Sequence, residues 1–557
     1  MFAKKSAIVT GLLLSALVSM LASCSDDHDN DNDAAARPEV EVRQGRLAGT
    51  YAGDLSVFKG IPYAAPPVGE RRWREPAAAE AWQGVRDASE FGPACVQPEV
   101  AETSLYRDPL PSMSEDCLTL NVWAPNDTTD LPVIVWIHGG SLRIGGSAQP
   151  MFDGARLAQA GAVIVSINYR LGVLGWLALA ELSAESAQGV SGNYGLLDQI
   201  QALRWVRDNI DRFGGDPGNV TIMGESAGAF SVSFLLTSPP ARGLFQKAIS
   251  ESANTRSLPM LATVANGLPS AQQHGEAVME EAGVNNLSEL RALDADQLVA
   301  IGQQAGFSPE GTIDGWALPD QLVAVFDAGE QARVPLLAGF NEGEVRSQRA
   351  LIAPPAADEA SYENTITELY GDLAGDFLAL YPASDMDYST MATARDAIYG
   401  WATERMVRKQ TEVGVPAYLY RFDHCYPAAR ERDLCAFHAS ELPFVFGQVG
   451  EQARLSENWP RPDGEEQREL SEAMIDYWVS FAATGQPAHA GAAQWNQYGT
   501  DENYLRFADQ PIADTDLQPG MFELQEEVVR RRRLAGQQWF INVGLLANPV
   551  PDAQGNL

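Results

Sequence analysis

The sequence predicts an α/β fold: a large, mostly parallel central sheet flanked by helices, with helical excursions around it. Three observations carry that reading. Leu131 to Ile137, LPVIVWI, is an unbroken apolar run rich in β-branched residues, as a strand buried on both faces requires. Leu197 to Phe213 sets Ile200, Leu203, Val206 and Ile210 at helical spacing. Asn219 to Met223, NVTIM, is a short strand running straight into Gly224-Glu225-Ser226-Ala227-Gly228 and a second apolar helical stretch. Strand, helix, strand and sharp turn into helix is the order of a parallel sheet with helical crossovers.

The other elements follow in the same grammar. Ala162 to Asn168, AVIVSIN, reads as a further buried strand. From about Leu258 to Leu380 the chain is rich in Ala, Glu and Gln at helical spacing, interrupted by a strand at Val334 to Gly339. Beyond Pro416, AYLYRF is a strand, and Leu470 to Thr484 is a helix. No linker separates independent domains and no repeat has a fixed period, so residues 38–547 read as one large domain. Residues 548–557 are expected to form a C-terminal tail.

The N-terminus reads as a targeting segment. Lys4 and Lys5 precede a short apolar run, Ala7 to Leu21, that is too short to span a bilayer comfortably. Leu21-Ala22-Ser23-Cys24 resembles the bacterial lipobox, which implies a signal peptide over residues 1–23, cleavage before Cys24 and lipid on that cysteine. Ser25 in the next position implies outer-membrane delivery. Asp26 to Asp33 consists of Asp, Asn and His, which bury nothing, so residues 24–37 read as a solvated acidic tether. The expected partners are thus a membrane, through the lipid anchor, and a small substrate.

Acidic residues outnumber basic ones 74 to 39, a formal charge of −35. Nucleic acid is excluded as a partner, because phosphate binding needs basic patches. The one basic run, Arg530 to Arg533, follows Glu526 and Glu527 and reads as the end of a charge-graded helix. Beyond Cys24 there are four cysteines, an even number in an exported chain. Proximity favours Cys95 with Cys117 and Cys425 with Cys435. Each closure is worth roughly 2–3 kcal/mol in the chain-entropy account. No C-x-x-C pair or histidine cluster has metal-ligand spacing, and no cofactor is implied.

Gly224-Glu225-Ser226-Ala227-Gly228 is a G-x-S-x-G placed after a strand and before a helix, the context of the nucleophile elbow of the α/β-hydrolase fold. The small glycines allow a strained turn that projects the serine Oγ. His138-Gly139-Gly140-Ser141 follows the LPVIVWI strand, where backbone N–H groups of Gly139, Gly140 and Ser141 can converge on a developing oxyanion with that of Ala227. His138 is read as orienting this loop.

Two longer segments carry a family resemblance. Phe213 through Gly228, FGGDPGNVTIMGESAG, and Glu115 through Val122, EDCLTLNV, resemble the two signatures of the type-B carboxylesterase family, which includes cholinesterases. Lys59-Gly-Ile-Pro-Tyr-Ala64 and Tyr169-Arg-Leu-Gly172 are similar to further family segments, and the likeness runs from about residue 38 to 545. The resemblance implies a Ser–His–Glu triad, an acyl-enzyme and a bridge from Cys117 to Cys95. It selects Glu344 as the acid, from a G-x-N-x-x-E register at Gly339 to Glu344, with Glu342 the neighbouring competitor, read as an exposed loop carboxylate. It selects His438 as the base, from Phe437-His438-Ala-Ser-Glu441 and the Val-Phe-Gly that follows. Of the remaining histidines, His28 lies in the tether, His274 and His489 read as solvent-facing, and His424 as packing beside Cys425.

Two departures matter. Ser141 stands where the family loop carries a third glycine, restricting φ there. The segment between Cys95 and Cys117 contains no Trp, so a quaternary-ammonium platform is not indicated. The expected activity is hydrolysis of a carboxylic ester. The alternatives are a non-catalytic adhesion protein on the same scaffold, or an amidase, lactonase or thioesterase using the same site.

Overall fold

Val133, Val135 and Ile137 pack into one hydrophobic core while Ile134 and Trp136, between them, pack into another. Alternate side chains of a strand point to opposite faces, so an unbroken apolar run gives one strand to two cores. In the computed structural model, which describes residues 37–556, this strand lies near the middle of an eleven-stranded sheet.

In chain order the strands are β1 (Thr50–Ala52), β2 (Leu55–Pro62), β3 (Thr119–Pro125), β4 (Leu131–Ile137), β5 (Val163–Ile167) and β6 (Gly215–Glu225). They continue with β7 (Lys247–Glu251), β8 (Leu336–Asn341), β9 (Ala417–Phe422), β10 (Asn503–Phe507) and β11 (Pro511–Thr515). Across the sheet they lie in the order 11-10-9-8-7-6-4-5-3-2-1. From β5 to β10 every pairing is parallel, and antiparallel strands finish both edges. Because β5 and β6 lie on opposite sides of β4, the crevice at the carboxyl ends of β4 and β6 is where an α/β sheet binds its ligand.

One core joins the sheet to helices α1 (Tyr194–Asn209) and α2 (Ala227–Thr237); the other joins it to α3 (Glu465–Thr484). Full burial of each Val, Leu or Ile contributes about 1.5–3 kcal/mol, so these faces dominate the stability of the sheet.

Several elements differ from expectation in their bounds. The helix expected to reach Phe213 stops at Asn209 and tightens into a 3₁₀ turn, closed by Gly214 at φ 81°. Strand β6 begins at Gly215 rather than Asn219, reaching β4 through an irregularity between Gly215 and Val220. Strand β8 lies two residues later than Val334 to Gly339, which puts Asn341 at its carboxyl end. Helix α3 starts at Glu465, where Glu465 and Glu466 face its positive end.

The domain ends also differ. Arg37, expected in the tether, donates to the carbonyls of Gly49 and Ala48 and pairs with Asp87. Residues 548–556 are not a free tail: Val550 N–H bonds the Leu369 carbonyl at 2.7 Å, and Arg532 donates to Asn548 O at 2.9 Å. The basic run explains this, since Arg532 is fully buried and Arg531 pairs with Asp372 and Glu527, each at 2.7 Å. The arginines pin the chain end as well as grading a helix. The signal peptide, Cys24 and the rest of the tether lie outside the described residues. Among the described residues, no helix is long and apolar enough to cross a membrane.

Candidate active site

Strand β6 ends at Glu225 and α2 begins at Ala227, leaving Ser226 alone in the turn at φ 55° and ψ −119°. A non-glycine residue there costs of order 1–3 kcal/mol and persists only where its surroundings hold it. Ser226 N–H bonds the Glu251 carbonyl at 2.9 Å, and Ser226 O accepts from Phe230 N–H at 2.9 Å. The glycines of the motif serve by what they lack. A Cβ on Gly228 would meet Ile137 O at 2.0 Å, and one on Gly224 would meet Gly228 C at 2.5 Å. The strain of the turn sits on the serine itself.

The loop after β4 lies against this turn. A Cβ on Gly139 would sit 2.9 Å from Glu225 O and 3.3 Å from Ser226 Cβ. Gly140 has φ 103°, and a Cβ there would meet Ile144 O at 2.1 Å. Ser141 and Leu142 follow at φ 58° and 57°, so Ser141 adopts the left-handed backbone that a third glycine would take without strain. The N–H groups of Gly140 and Ser141 have no acceptor among the described residues, and Ala227 opens α2, where N–H groups lack intrahelical partners. His138 stacks on Tyr169 at 4.5 Å between ring centroids, and its carbonyl accepts from Tyr169 OH at 2.8 Å. Burial holds its imidazole down to about 4, so it stays neutral and braces the loop.

In the same cleft as Ser226, His438 Nδ1 lies 2.5 Å from Glu344 Oε2. Glu344 is fully buried, and its Oε1 accepts from Asn341 N–H at 2.8 Å. Asn341 Nδ2 in turn donates to Phe437 O at 2.9 Å, tying the acid-bearing and histidine-bearing loops together. Gly343 brings the loops close: its N–H bonds Ala436 O at 2.9 Å, and a Cβ there would meet Cys435 O at 2.0 Å. Cys435 is bonded to Cys425, so the cross-link anchors the segment leading to His438. Glu342, read from sequence as an exposed loop carboxylate, is instead paired with Arg395 and, at 3.3 Å, with Arg421.

The other histidines stand apart. His424 is buried beside Tyr426 and Phe444, with Nδ1 3.2 Å from Asp509 Oδ1. Neither His274 nor His489 is fully solvent-facing. His274 is half-buried on its helix, which lowers its pKa, and His489 Nδ1 lies 2.7 Å from Asp476.

A buried acidic group surrounds the imidazole. Glu225 Oε1 is 3.1 Å from His438 Nε2, and burial pushes Glu225 up to about 7 against the pull of His438. Burial also raises Glu251 well above the carboxylate range, with Glu441 adding to it and a Trp478 N–H bond at 2.7 Å opposing it. Glu441 shifts upward for the same reason, with Glu225 and Glu344 adding to it. His438 shows the balance of these charges. Burial alone would depress it, but Glu225 and then Glu344 outweigh that and carry it to about 9. The arrangement stabilises an imidazolium.

Ser226, Gly139, Gly140, Ser141 and His438 share one cleft with about 930 Å³ of free space, part of it open to solvent. Leu110, Met151, Phe152 and Trp459 line it with apolar surface. Part of its lining comes from the loop between Cys95 and Cys117, whose sulfurs are bonded with Cα atoms 5.0 Å apart.

Residues 36–520 match the carboxylesterase family. The chain is 36% identical over 526 residues to fumonisin B1 esterase of Sphingopyxis macrogoltabida, covering 91% of each chain. The chain belongs to the carboxylesterase family. This carboxylesterase is also 36% identical over 491 residues to para-nitrobenzyl esterase of Bacillus subtilis (strain 168), covering 85% of this chain and 95% of the relative. A solved PNB esterase superposes with a TM-score of 0.76 at 32% identity, covering 88% of this chain and 99% of that one. A Geobacillus stearothermophilus carboxylesterase gives 0.72 at 31% identity, covering 88% and 100%. The fold is therefore the α/β-hydrolase fold, and the activity is hydrolysis of carboxylic esters.

Sequence reading missed several residues that shape the site of this carboxylesterase. Tyr399 packs on His438 at 5.2 Å from a π-helical turn, Asp396–Gly400, and Tyr106 OH reaches His438 O at 3.1 Å. No local pattern marks either tyrosine. Glu225 had a signal, its place beside the nucleophile within the motif.

Proposed function

We propose that this carboxylesterase works through a Ser226–His438–Glu344 triad and an acyl-enzyme. His438 Nε2 takes the Ser226 proton as Oγ bonds to the ester carbonyl carbon. The carbonyl oxygen becomes an oxyanion held by N–H groups of Gly140, Ser141 and Ala227, with Gly139 shaping the loop. The tetrahedral adduct collapses, the alkoxide leaves with the proton from His438, and water repeats the sequence to release the acid. Glu344 keeps Nδ1 protonated and balances the imidazolium.

One observation carries this reading: the 2.5 Å contact between His438 Nδ1 and Glu344, in a cleft shared with Ser226 and the glycine loop. We further read the protein as exported, lipidated on Cys24 and oxidised at Cys95–Cys117 and Cys425–Cys435, on the strength of its N-terminal sequence and cysteine placement. The substrate is a small ester able to enter a largely apolar cleft. The para-nitrobenzyl and nitrophenyl esters are suitable first substrates.

The test is Ser226→Ala together with fluorophosphonate labelling. The variant should lose about 10⁴-fold or more in kcat with its circular dichroism unchanged, and the wild type should be labelled at Ser226. Near-normal turnover, or labelling elsewhere, would reject the triad.

A further inference from the structure

The carbonyl of His438 has one hydrogen-bond donor among the described residues, and it comes from a distant loop. Tyr106 OH donates to His438 O at 3.1 Å. The same hydroxyl lies 2.7 Å from Ser347 Oγ. A phenol has one proton, so with that proton given to His438 O it accepts from Ser347. Ser347 closes the 3₁₀ turn Glu344–Arg346, which opens on the buried acid that holds His438 Nδ1. Tyr106 thus joins the two loops that bring Glu344 and His438 together. Burial raises its phenol, with Ser347 opposing part of the rise, so the donor keeps its proton.

The peptide that Tyr106 holds lies in a strained segment. Ala436 and Ala439, on either side of Phe437-His438, have φ of 46° and 69°. A non-glycine residue keeps such left-handed backbone only where its surroundings hold it. The His438 carbonyl belongs to the peptide leading into Ala439, so the Tyr106 bond fixes the plane of that peptide. Tyr106 is itself anchored. Its ring packs edge-on to Trp459 at 6.0 Å, and Trp459 packs on Phe437 at 4.8 Å. Asn458 Nδ2 donates to the carbonyls of Glu102 at 2.6 Å and Ser104 at 3.0 Å, and Tyr106 N–H bonds Ser104 Oγ at 3.2 Å. Without the hydroxyl, the His438 carbonyl loses its donor and the peptide its restraint.

We infer that Tyr106 is a positioning residue: its hydroxyl holds the His438–Ala439 peptide, and with it the imidazole, in register for proton transfer from Ser226. The inference rests on the proposed triad. Tyr106 also lines the cleft, and a residue that only lined it would act on substrate binding. One that only filled space would act on stability. Neither would slow the turnover of every ester alike.

The experiment measures steady-state hydrolysis of nitrophenyl acetate and nitrophenyl octanoate, together with the rate of Ser226 labelling by a fluorophosphonate. Tyr106→Phe keeps the ring and should lower kcat by about 10–10²-fold, as for a catalytic group displaced by a fraction of an ångström. The factor should agree between the two esters to within about threefold, with KM changed by less than about threefold and labelling slowed in step. Ser347→Ala should lower kcat by a smaller factor. Added to Tyr106→Phe it should cost less than about twofold more, because both act through one hydroxyl. A Tyr106→Phe kcat within about threefold of wild type overturns the inference. So does a loss confined to KM or to one ester, or two losses that multiply in full in the double variant. If Tyr106→Phe does not fold, a Ser347→Ala kcat reduced at constant KM supports the inference and an unaltered one overturns it. A wild type that hydrolyses neither ester, and whose Ser226 resists fluorophosphonate, overturns instead the triad reading beneath it.

Discussion

Glu225 Oε1 lies 3.1 Å from His438 Nε2, the ring atom opposite the one that Glu344 holds. The imidazole therefore has a carboxylate at each nitrogen. In the proposed mechanism His438, protonated below its pKa, cannot take the Ser226 proton, so kcat/KM should rise with pH through a limb set by this group. Its free-enzyme value is carried to about 9 by Glu225 and Glu344 against burial. Glu225→Gln removes one anion and lowers the imidazolium's stability, so the limb should move to lower pH by about one unit. A kcat/KM profile with an unmoved limb, or one moved upward, would remove Glu225 from the electrostatics of the site.

Glu344 and Glu342 should separate cleanly. Glu344→Gln keeps the shape but removes the charge opposing the imidazolium, and activity should fall about 10²–10⁴-fold. Glu342→Gln should stay within several-fold of wild type in kcat. It should lower the melting temperature by on the order of 1–3 °C, because Arg395 and Arg421 lose a partner. Steady-state kinetics with calorimetry decides, and the reverse ranking would assign the acid to Glu342.

Gly140→Ala tests the loop. The added methyl would sit 2.1 Å from Ile144 O at a φ of 103°, so the backbone must shift. Displaced donors should cost about 10²–10³-fold in kcat with KM changed far less. Unaltered kcat would mean that the loop does not hold the oxyanion.

Glu441→Gln should change how stability depends on pH. The folded protein keeps the Glu441 proton up to about 8, whereas the unfolded chain loses it in the usual carboxylate range. That contribution is complete below the unfolded value and is lost as pH rises towards 8. Gln cannot ionise, so the variant should gain on the wild type by on the order of 1–3 °C between pH 5 and 8. A difference in melting temperature that stays constant across that range contradicts the shift.

The proposed export makes a chemical prediction. Peptide mapping of protein matured outside the cytoplasm should find Cys95 joined to Cys117 and Cys425 to Cys435. Metabolic lipid labelling should mark Cys24 and vanish in Cys24→Ala. Free thiols, crossed pairs or an unlipidated wild type would each refute the corresponding part.

What the sequence made legible was local. Ser226 and the loop from His138 to Ser141 stand in contiguous motifs whose backbone demands leave a mark in glycine placement. Glu344 and His438 were found through longer family segments. The rest depends on contacts between distant parts of the chain. Nothing near Tyr399 in sequence says that it packs on His438, and nothing near Glu342 marks its pairing with Arg395 and Arg421. The ordered chain end leaves no local mark, because Arg531 and Arg532 grade the helix charge in sequence while in the fold they also donate to a distant carboxylate and carbonyl.

The bonded pair Cys95 and Cys117 encloses Gln97, Val100, Ser104, Leu105, Tyr106, Asp108 and Leu110, which all line the cleft. The proposed reacting groups are borne instead on the ends of β4, β6 and β8 and on the loop of His438. The two are coupled all the same: Tyr106 bonds the His438 carbonyl at 3.1 Å, and Gln97 exchanges bonds of 2.7 Å with Gly145 in the glycine loop. One covalent staple closes both ends of this stretch, so a change of its length or sequence is felt at the His438 loop and the glycine loop as well as in the shape of the cleft.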